Sequence, residues 1–461
     1  MPGWEPLPNI VLKEVKQREE EGCDVSGFAD RIRAASDSEK ALLAIYEDLC
    51  KLEVQPDFPF VEPSELEGIK AERPDGPREL DIPHSEEVMA DKFLGAWLGR
   101  CAGCALGKPL ETQPFMAGKP TGEPGWQFVQ EWYQRADAWP IADFVPSRSR
   151  ATESGLKLSE WCQPSERDHI QFMQTDDDIR YTILGLIMLE SKGLNWDSYD
   201  VGKLWHRKLT YAQVCTAETQ AYLNFAHETS HLKGKRPDDW EERKKRVRTH
   251  LNPYREWIGA QIRADGLAYG AAGRPELAAD HAWRDASFSH IKNGIYGEMF
   301  VAAMIAAAFV ESDVEKIVEI GLSEIPTRSR LAADVAKAIE IAQATTDQVE
   351  LVARIWDTFK HYDCVHTNNN AALVVASLIF GKRDFTKAIA TAVLGGWDTD
   401  CNGATVGSIM GTKLGAKALP EHWVRPLNDT LYADVCDFHP IKISECARRS
   451  HEVWKRLLKI C

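Results

Sequence analysis

The sequence predicts an all-α fold, and three observations support this prediction. Apolar residues recur at helical spacing almost everywhere after residue 85, and runs that alternate between apolar and polar residues are scarce. Stretches rich in Leu, Ala and Glu also outnumber β-branched ones. The length of 461 residues exceeds what one hydrophobic core usually supports, so we expect one large domain with an appendage, or two domains.

Charge and composition argue against several classes of protein. The chain has 55 basic and 70 acidic residues, a formal net charge of −15, which argues against nucleic acid or an anionic membrane as partner. The charged N-terminus lacks the apolar centre of a secretory signal, and the apolar stretch 299–310 is too short to cross a bilayer. Eleven cysteines in such a chain favour free thiols. We therefore expect an intracellular, cytoplasmic protein; the sequence leaves its oligomeric state open.

The first 84 residues predict a helical N-terminal extension that ends in a linker. Charged amphipathic stretches at 9–21 and 39–52 precede the proline-rich stretch 56–83. We therefore divide the chain into an extension, residues 1–84, and a main domain, residues 85–461. An alternative is that residues 1–84 form a regulatory module that binds a partner.

The main domain begins with an apolar stretch, 91–107, in which every fourth residue is glycine. These glycines are Gly95, Gly99, Gly103 and Gly107. They lie along one face of a helix, where the missing side chains let another backbone approach closely. Cys101 and Cys104 in the same stretch have no second pair at zinc-site spacing, so we expect them to serve helix packing.

A long irregular loop and a series of helices are predicted to follow. Residues 112–174 are rich in Trp, Pro, Gly and charge and show little periodicity, which is typical of a functional or mobile loop. Apolar periodicity predicts helices over 179–189, 293–309, 331–344, 369–380, 387–394 and 404–414.

Two acidic clusters, roughly 220 residues apart, stand where apolar helices begin. Thr175 is followed by three consecutive aspartates, and Asp398 and Asp400 follow two glycines. An N-terminal capping box from Thr175 to Asp178 would explain one or two of these residues. It gives no reason for the third carboxylate. If the two clusters meet in space, divalent cations are the expected compensation for four or five crowded carboxylates.

These motifs resemble the ADP-ribosylglycohydrolases, the family of the dinitrogenase reductase-activating glycohydrolase and the animal ADP-ribosylhydrolases. The resemblance covers approximately residues 88–415 and rests on four segments: 95–111 (GAWLGRCAGCALGKPLE), Thr175-Asp176-Asp177, Ser289-His290 with Gly294, and 396–411 (GWDTDCNGATVGSIMG). It implies a compact, orthogonally packed multi-helix domain and a site with magnesium ions. The ligands that the resemblance implies are Thr175, Asp176, Asp177, Asp398 and Asp400.

The second motif departs from the family pattern at two positions. The family usually has Gly-Gly-Asp-Thr-Asp-Thr, whereas this chain has Trp397 before the first aspartate and Cys401 in place of the last threonine. Magnesium prefers oxygen to sulfur ligands, so we expect a second cation to bind weakly. We expect one or two magnesium ions, with calcium or manganese as alternatives. The resulting Asp-Thr-Asp-Cys-Asn motif resembles a less characterised branch of the family.

The resemblance also implies catalytic and substrate-binding residues. Glu111 corresponds to the glutamate of a loop that gates the site, and we assign Glu111 and Asp177 to catalysis. A surface carboxylate on a mobile loop is the alternative for Glu111. The implied substrate contacts are Gly259, Arg263, His290 and Gly294. For Arg263 a structural ion pair is equally consistent with the sequence, and a histidine in the position of His290 is more often a packed or capping residue.

We therefore expect a metal-dependent hydrolase that cleaves a ribosyl N- or O-glycosidic bond. The resemblance implies an ADP-ribosyl adduct or an ADP-ribose derivative as the substrate, so that the partner is a small molecule or an ADP-ribosylated one. One alternative is an enzyme that acts on a different glycoside or on a nucleoside-like molecule. The other is a non-catalytic, crystallin-like or binding protein that has kept the fold.

Overall fold

The computed structural model describes residues 1–35 and 38–459, and it confirms the all-α fold. Over these residues only isolated β-bridges occur, and no β-sheet forms. Four helices precede residue 85: α1 (Leu7–Glu20), α2 (Phe28–Ala34), α3 (Glu39–Cys50) and α4 (Leu66–Glu72).

The main domain contains the predicted helices and further helices that were not predicted individually. They are α5 (Glu86–Gly107), α6 (Gly125–Arg135), α7 (Asp177–Lys192), α8 (Ser198–Lys208), α9 (Thr216–Thr229), α10 (Trp240–Thr249), α11 (Ala264–Tyr269), α12 (Pro275–Ala286), α13 (Lys292–Ala308), α14 (Val314–Leu322), α15 (Arg330–Gln343), α16 (Gln348–Phe359), α17 (Thr367–Gly381), α18 (Phe385–Leu394), α19 (Thr399–Leu414), α20 (Glu421–Val424) and α21 (Ile443–Leu458). The predicted helices correspond to α5, α7, α13, α15, α17, α18 and α19. Short 3₁₀ helices lie at Lys108–Leu110, Arg150–Ser154, Glu160–Ser165, Tyr211–Gln213, Ser230–Leu232, Gln261–Arg263, Ala416–Ala418 and Arg425–Leu427.

The prediction of a long irregular loop over 112–174 is wrong in part. This segment contains α6, which buries Phe128, Val129, Trp132 and Tyr133 on one face. The two adjacent pairs are four residues apart and so share a helix face. The pattern lasts barely three turns between proline- and glycine-rich flanks, and this is too short to stand out from the surrounding composition.

The N-terminal segment packs against the main domain. Residues of α1, α2 and α3 form a small hydrophobic cluster of their own. Arg255 of the main domain forms buried ion pairs with Glu14 (2.6 Å) and Glu21 (2.8 Å). From the proline-rich stretch, Glu62 pairs with Arg330 at 2.8 Å. The boundary at residue 84 stays a prediction, but buried charges join the segments on its two sides.

Helices α5 and α19 lie antiparallel with their backbones in contact. A Cβ atom added to Gly99 would lie 2.1 Å from the carbonyl oxygen of Gly407, and one added to Gly103 would lie 1.9 Å from that of Gly403. Neither position can accept a side chain unless the helices separate. The close approach predicted from the glycine spacing is therefore confirmed. Its consequence is that the end of α5 touches the beginning of α19.

The start of α7 is fixed to the same place by the buried Arg100 of α5. Its guanidinium group donates hydrogen bonds to Asp178 (3.0 Å) and Thr182 (2.7 Å) of α7 and lies 2.8 Å from the carboxylate of Asp265. Three helix ends therefore meet in the interior: the end of α5 and the starts of α7 and α19. A search of the described residues finds no helix with the length and hydropathy needed to span a bilayer.

Candidate metal centre

The three helix ends carry the carboxylates singled out from the sequence. Asp176 is the N-cap of α7 and accepts a hydrogen bond from the Asp178 amide (3.0 Å), while Asp177 is the first residue of the helix. Asp398 and Asp400 stand at the corresponding start of α19. Glu111 follows the 3₁₀ helix 108–110 at the end of α5. Helix starts favour carboxylates electrostatically, which explains their local positions.

The structure brings the two acidic clusters together. One ligand atom from each of Cys104, Asp176, Asp178 and Asp400 lies within 4.8 Å of the others. Asp398, Asp400 and Cys401 form a second group of the same dimensions, so that Asp400 belongs to both. Residues more than 200 positions apart in sequence thus line one buried acidic centre.

Capping accounts for the first cluster only in part and fails to account for the second. The cap of α7 is Asp176, so the capping box from Thr175 to Asp178 does not form. Thr175 instead donates a hydrogen bond to the Ala433 carbonyl (3.1 Å) and accepts one from Arg180 (2.9 Å). Asp398 precedes α19 but makes no capping hydrogen bond with its side chain. Another interaction must therefore compensate its burial.

Two buried oxygens are left without a partner. The Oδ1 atoms of Asp398 and Asp400 have no hydrogen-bond partner among the described residues, although these residues are only 5% and 1% exposed. An unpaired buried carboxylate oxygen is costly unless a cation or a donor satisfies it. Hard divalent cations bind such oxygens, so these residues fit the metal that the acidic clusters imply.

The electrostatics of the centre are those of a carboxylate cluster that lacks enough positive charge. Burial and the Asp176 carboxylate raise the pKa of Asp400 to about 7, and the same two causes raise that of Asp177 to about 6. Burial and Asp400 raise the pKa of Asp398 well above its usual range. A bound cation would reverse these shifts, because it favours the ionised form of every ligand.

Glu111 borders the same cluster. Glu111 is exposed to solvent, which agrees with the alternative of a surface carboxylate. The charges of Asp400 and Asp398 nevertheless act on it and, together with the surrounding protein, raise its pKa well above the usual value. The assignment of Glu111 to catalysis stays a prediction.

Lys108 is a site residue that the sequence reasoning missed. Its ammonium group donates a hydrogen bond to Oδ2 of Asp176 inside the cluster. Burial alone would raise the pKa of Asp176, but Lys108 holds it below its usual range. The sequence contains a signal for it, because Lys108 lies three residues before Glu111, within the segment 95–111 that carries the family resemblance.

Two further supporting residues were also missed. Asn370, in the first turn of α17, accepts hydrogen bonds through Oδ1 from the Asp398 amide (3.3 Å) and the Asn402 side chain (2.7 Å). Trp397 stacks on Trp356 with ring centroids 5.1 Å apart and has a φ of +56°. The tryptophan that departs from the family pattern is thus packed in the interior next to Asp398.

Of the predicted substrate contacts, Arg263, His290 and Gly294 are buried in the interior. Arg263 is 2% exposed and is held by Asp285, by Glu218 (2.7 Å) and by the Gly259 carbonyl (2.9 Å), as in the ion-pair alternative. His290 is fully buried, and its Nδ1 shares a hydrogen bond with Ser289 (2.8 Å). A Cβ atom on Gly294 would lie 2.6 Å from the Arg255 carbonyl oxygen. Arg263 and Gly294 have structural partners, whereas Nε2 of His290 is buried without a hydrogen-bond partner among the described residues. The assignment of Gly259, Arg263, His290 and Gly294 to substrate binding stays a prediction.

Two comparisons with known proteins find similarity to the same family. The sequence pattern of the family described as "ADP-ribosylglycohydrolase" matches residues 85–454. A solved structure described as an "ADP-ribosylglycohydrolase-related protein complex" is similar over 80% of this chain and 99% of its own, with 18% sequence identity and a TM-score of 0.48. No curated protein sequence matches the chain.

Proposed function

This chain belongs to the ADP-ribosylglycohydrolase family, and from that premise we propose that it is a divalent-cation-dependent hydrolase of a ribosyl N- or O-glycosidic bond. The proposed substrate is an ADP-ribosyl adduct or a small ADP-ribose derivative. Membership of a glycohydrolase family supports the reaction class. The substrate and the cation go beyond that membership and are argued from the site.

The unpaired oxygens of Asp398 and Asp400 are the observation that carries the proposal. Asp400 shares one group of possible ligand atoms with Cys104, Asp176 and Asp178 and another with Asp398 and Cys401. The Asp177 carboxylate lies near enough to raise the pKa of Asp400. Carboxylate oxygens favour magnesium, with calcium or manganese as alternatives. A divalent cation bound there would supply positive charge for ribose hydroxyl groups and for the water that attacks the glycosidic carbon.

We assign the two roles of glycoside hydrolysis to two carboxyl groups of the site. Burial and the charges of Asp400 and Asp398 raise the pKa of Glu111, which favours its protonated form and its role as proton donor to the leaving group. Asp177 has a pKa of about 6 without a cation, and a cation would lower it, so Asp177 is largely ionised at neutral pH in both cases and can accept a proton from water. Glycosidases commonly divide the two roles between a pair of carboxyl groups in this way.

A groove beside the cluster offers room for the rest of a substrate. It has a volume of about 830 Å³, and residues between 132 and 169 line it, among them Ser159, Glu160 and Gln163. The Ser159 amide donates a hydrogen bond to the Pro109 carbonyl (2.9 Å), which ties the groove to the segment that ends in Glu111. The volume suits a nucleotide-sized molecule. We propose a small-molecule or ADP-ribosylated partner, without nucleic acid or a membrane.

The experiment is a substrate panel assayed with and without cations. Metal-stripped protein is incubated with N- and O-linked ADP-ribosyl compounds and with simple nucleosides, in magnesium, calcium, manganese or a chelator, and free products are separated by chromatography. We expect release of ADP-ribose that needs a divalent cation and is lost in the Asp398→Asn/Asp400→Asn variant. Asp57→Asn, which changes an exposed carboxylate far along the chain, is the control.

Each contrary outcome has a definite meaning. Turnover that persists in chelator would overturn the cation requirement. Turnover of nucleosides alone would keep the hydrolase but replace its substrate. Cation binding without turnover of any ribosyl compound would favour a binding protein that has kept the fold.

A further inference from the structure

Lys108 lies inside the acidic cluster and is held there by the packing of α5 on α19. It is the first residue of the 3₁₀ helix 108–110 and is only 8% exposed. A Cβ atom on the preceding Gly107 would lie 2.1 Å from the Thr399 carbonyl oxygen and 2.4 Å from the Asp400 amide nitrogen. The backbone before Lys108 is therefore in contact with the first turn of α19. Its ammonium group is a fixed part of the site.

The two halves of the cluster differ in how their carboxylate oxygens are used. Both oxygens of Asp176 have partners: Oδ1 accepts the Asp178 amide (3.0 Å) and Oδ2 accepts Lys108. By contrast, Oδ1 of Asp398 and Oδ1 of Asp400 have no hydrogen-bond partner in the described part of the chain. Oδ2 of Asp178 in the first motif also has no hydrogen-bond partner, but Asp178 is ion-paired with Arg100 (3.0 Å). Among the described residues, the aspartates of the second motif have no such cationic partner.

Cationic side chains are distributed unequally between the two halves of the acidic cluster. Lys108 is paired with Asp176, and Arg180 donates a hydrogen bond to the neighbouring Thr175 (2.9 Å). Within residues 1–35 and 38–459, no lysine, arginine or histidine forms an ion pair with Asp398 or Asp400. A divalent cation next to Asp176 would share that carboxylate with a buried ammonium group, whereas Asp398 and Asp400 form no ion pair with Lys108, although its charge also acts on Asp400.

We propose that Lys108 takes the place of one cation at the Thr175–Asp177 side of the cluster, so that the protein holds a single divalent cation at Asp398 and Asp400. The inference rests on the proposed function for the presence of any cation. It goes beyond that function because it assigns the second positive charge of the site to a side chain. Cys401 agrees with it, because a buried thiol is a poor ligand for a second hard cation.

Cation stoichiometry tests the inference on the full-length protein. Metal-stripped wild type is titrated with magnesium and manganese by calorimetry, and the manganese form is studied by electron paramagnetic resonance. Lys108→Met and Lys108→Gln remove the ammonium group. Lys157→Met is the control, because it removes the same charge from an exposed side chain of the neighbouring groove.

We expect the wild type and Lys157→Met to bind one cation per chain, with the signal of an isolated manganese ion. Removing Lys108 should add a second binding event, with the spectrum of two interacting manganese ions. This second cation should bind to the variants at least about tenfold more tightly than any second cation binds to wild type. Two tightly bound cations in wild type, or an unchanged single site in both Lys108 variants, would overturn the inference while leaving the proposed function standing.

The remaining outcomes are equally decisive. If wild type binds no cation, the proposed function fails together with the inference. If neither Lys108 variant folds, as judged by circular dichroism, the wild-type stoichiometry decides alone, because one cation supports the inference and two refute it.

Discussion

Substitution of the glycines through which α5 contacts α19 should have different effects at the two ends of the contact. Near the acidic cluster it should lower both cation affinity and stability, and at the opposite end it should lower stability alone. A Cβ atom on Gly107 would lie 2.1 Å from the Thr399 carbonyl oxygen, beside the two aspartates of the second motif. A Cβ atom on Gly95 would lie 2.3 Å from the Gly411 carbonyl oxygen, at the opposite end of the same contact. Gly107→Ala and Gly95→Ala are therefore a matched pair with nearly the same clash.

The size of the effect follows from these distances. Real Cβ contacts are seldom shorter than 3.0 Å, so each alanine forces the backbones apart by nearly 1 Å. Such overpacking costs about 1–3 kcal/mol, and the better helix propensity of alanine recovers about 1 kcal/mol. Because the clashing atoms belong to the backbone and cannot rotate away, the cost lies in the upper half of that range, and we expect both variants to lose about 1–2 kcal/mol of unfolding free energy. Only Gly107→Ala also moves Asp400, which should weaken cation binding about 10- to 100-fold.

Urea unfolding measures the stability loss, and calorimetric titration with magnesium measures the affinity. Equal cation affinity in the two variants would refute the idea that this end of the helix contact sets the geometry of the centre. Full stability in both would show that the helices separate without cost, contrary to the packing argument.

Three further predictions concern the site and the N-terminal segment. Glu111→Gln should lower turnover about 10²- to 10⁴-fold while changing unfolding free energy by less than about 1 kcal/mol; unchanged turnover would remove Glu111 from catalysis. Cation affinity should rise from pH 5 to pH 8, because Asp400, with its pKa raised to about 7, must lose a proton before it binds; titrations at several pH values check the sign. Arg255→Met should lower the free energy of urea unfolding by about 2–3 kcal/mol, less than the loss of an isolated buried pair, since it leaves the buried Glu14 and Glu21 with only Arg18 and Lys292 as partners. The control Arg31→Met, which breaks an exposed ion pair, should cost less than about 1 kcal/mol, and an equal loss in both would contradict a docked N-terminal segment.

The sequence predicted the features that depend on neighbours along the chain. Helical periodicity predicted the fold class and the positions of the most apolar helices, among them α7, α13, α17 and α19, because apolar residues at this spacing share one face whatever the helix packs against. The glycine spacing predicted a close helix contact but not its partner, α19, whose glycines at 403, 407 and 411 repeat the same spacing. The short helix α6 was missed because barely three turns of periodicity are hidden between proline- and glycine-rich flanks.

The order of the two acidic motifs, their positions at helix starts and the family resemblance were determined by the sequence itself. Only the tertiary structure decided which of those carboxylates remain open. Lys108 satisfies Asp176 from 68 positions away, while Asp398 and Asp400 keep oxygens without a partner among the described residues. The tertiary structure also showed that Arg263 is ion-paired with the buried Glu218 and Asp285. The physical reason is that pairing between charged side chains depends on which helix ends meet, and that is set by packing between segments distant in the sequence.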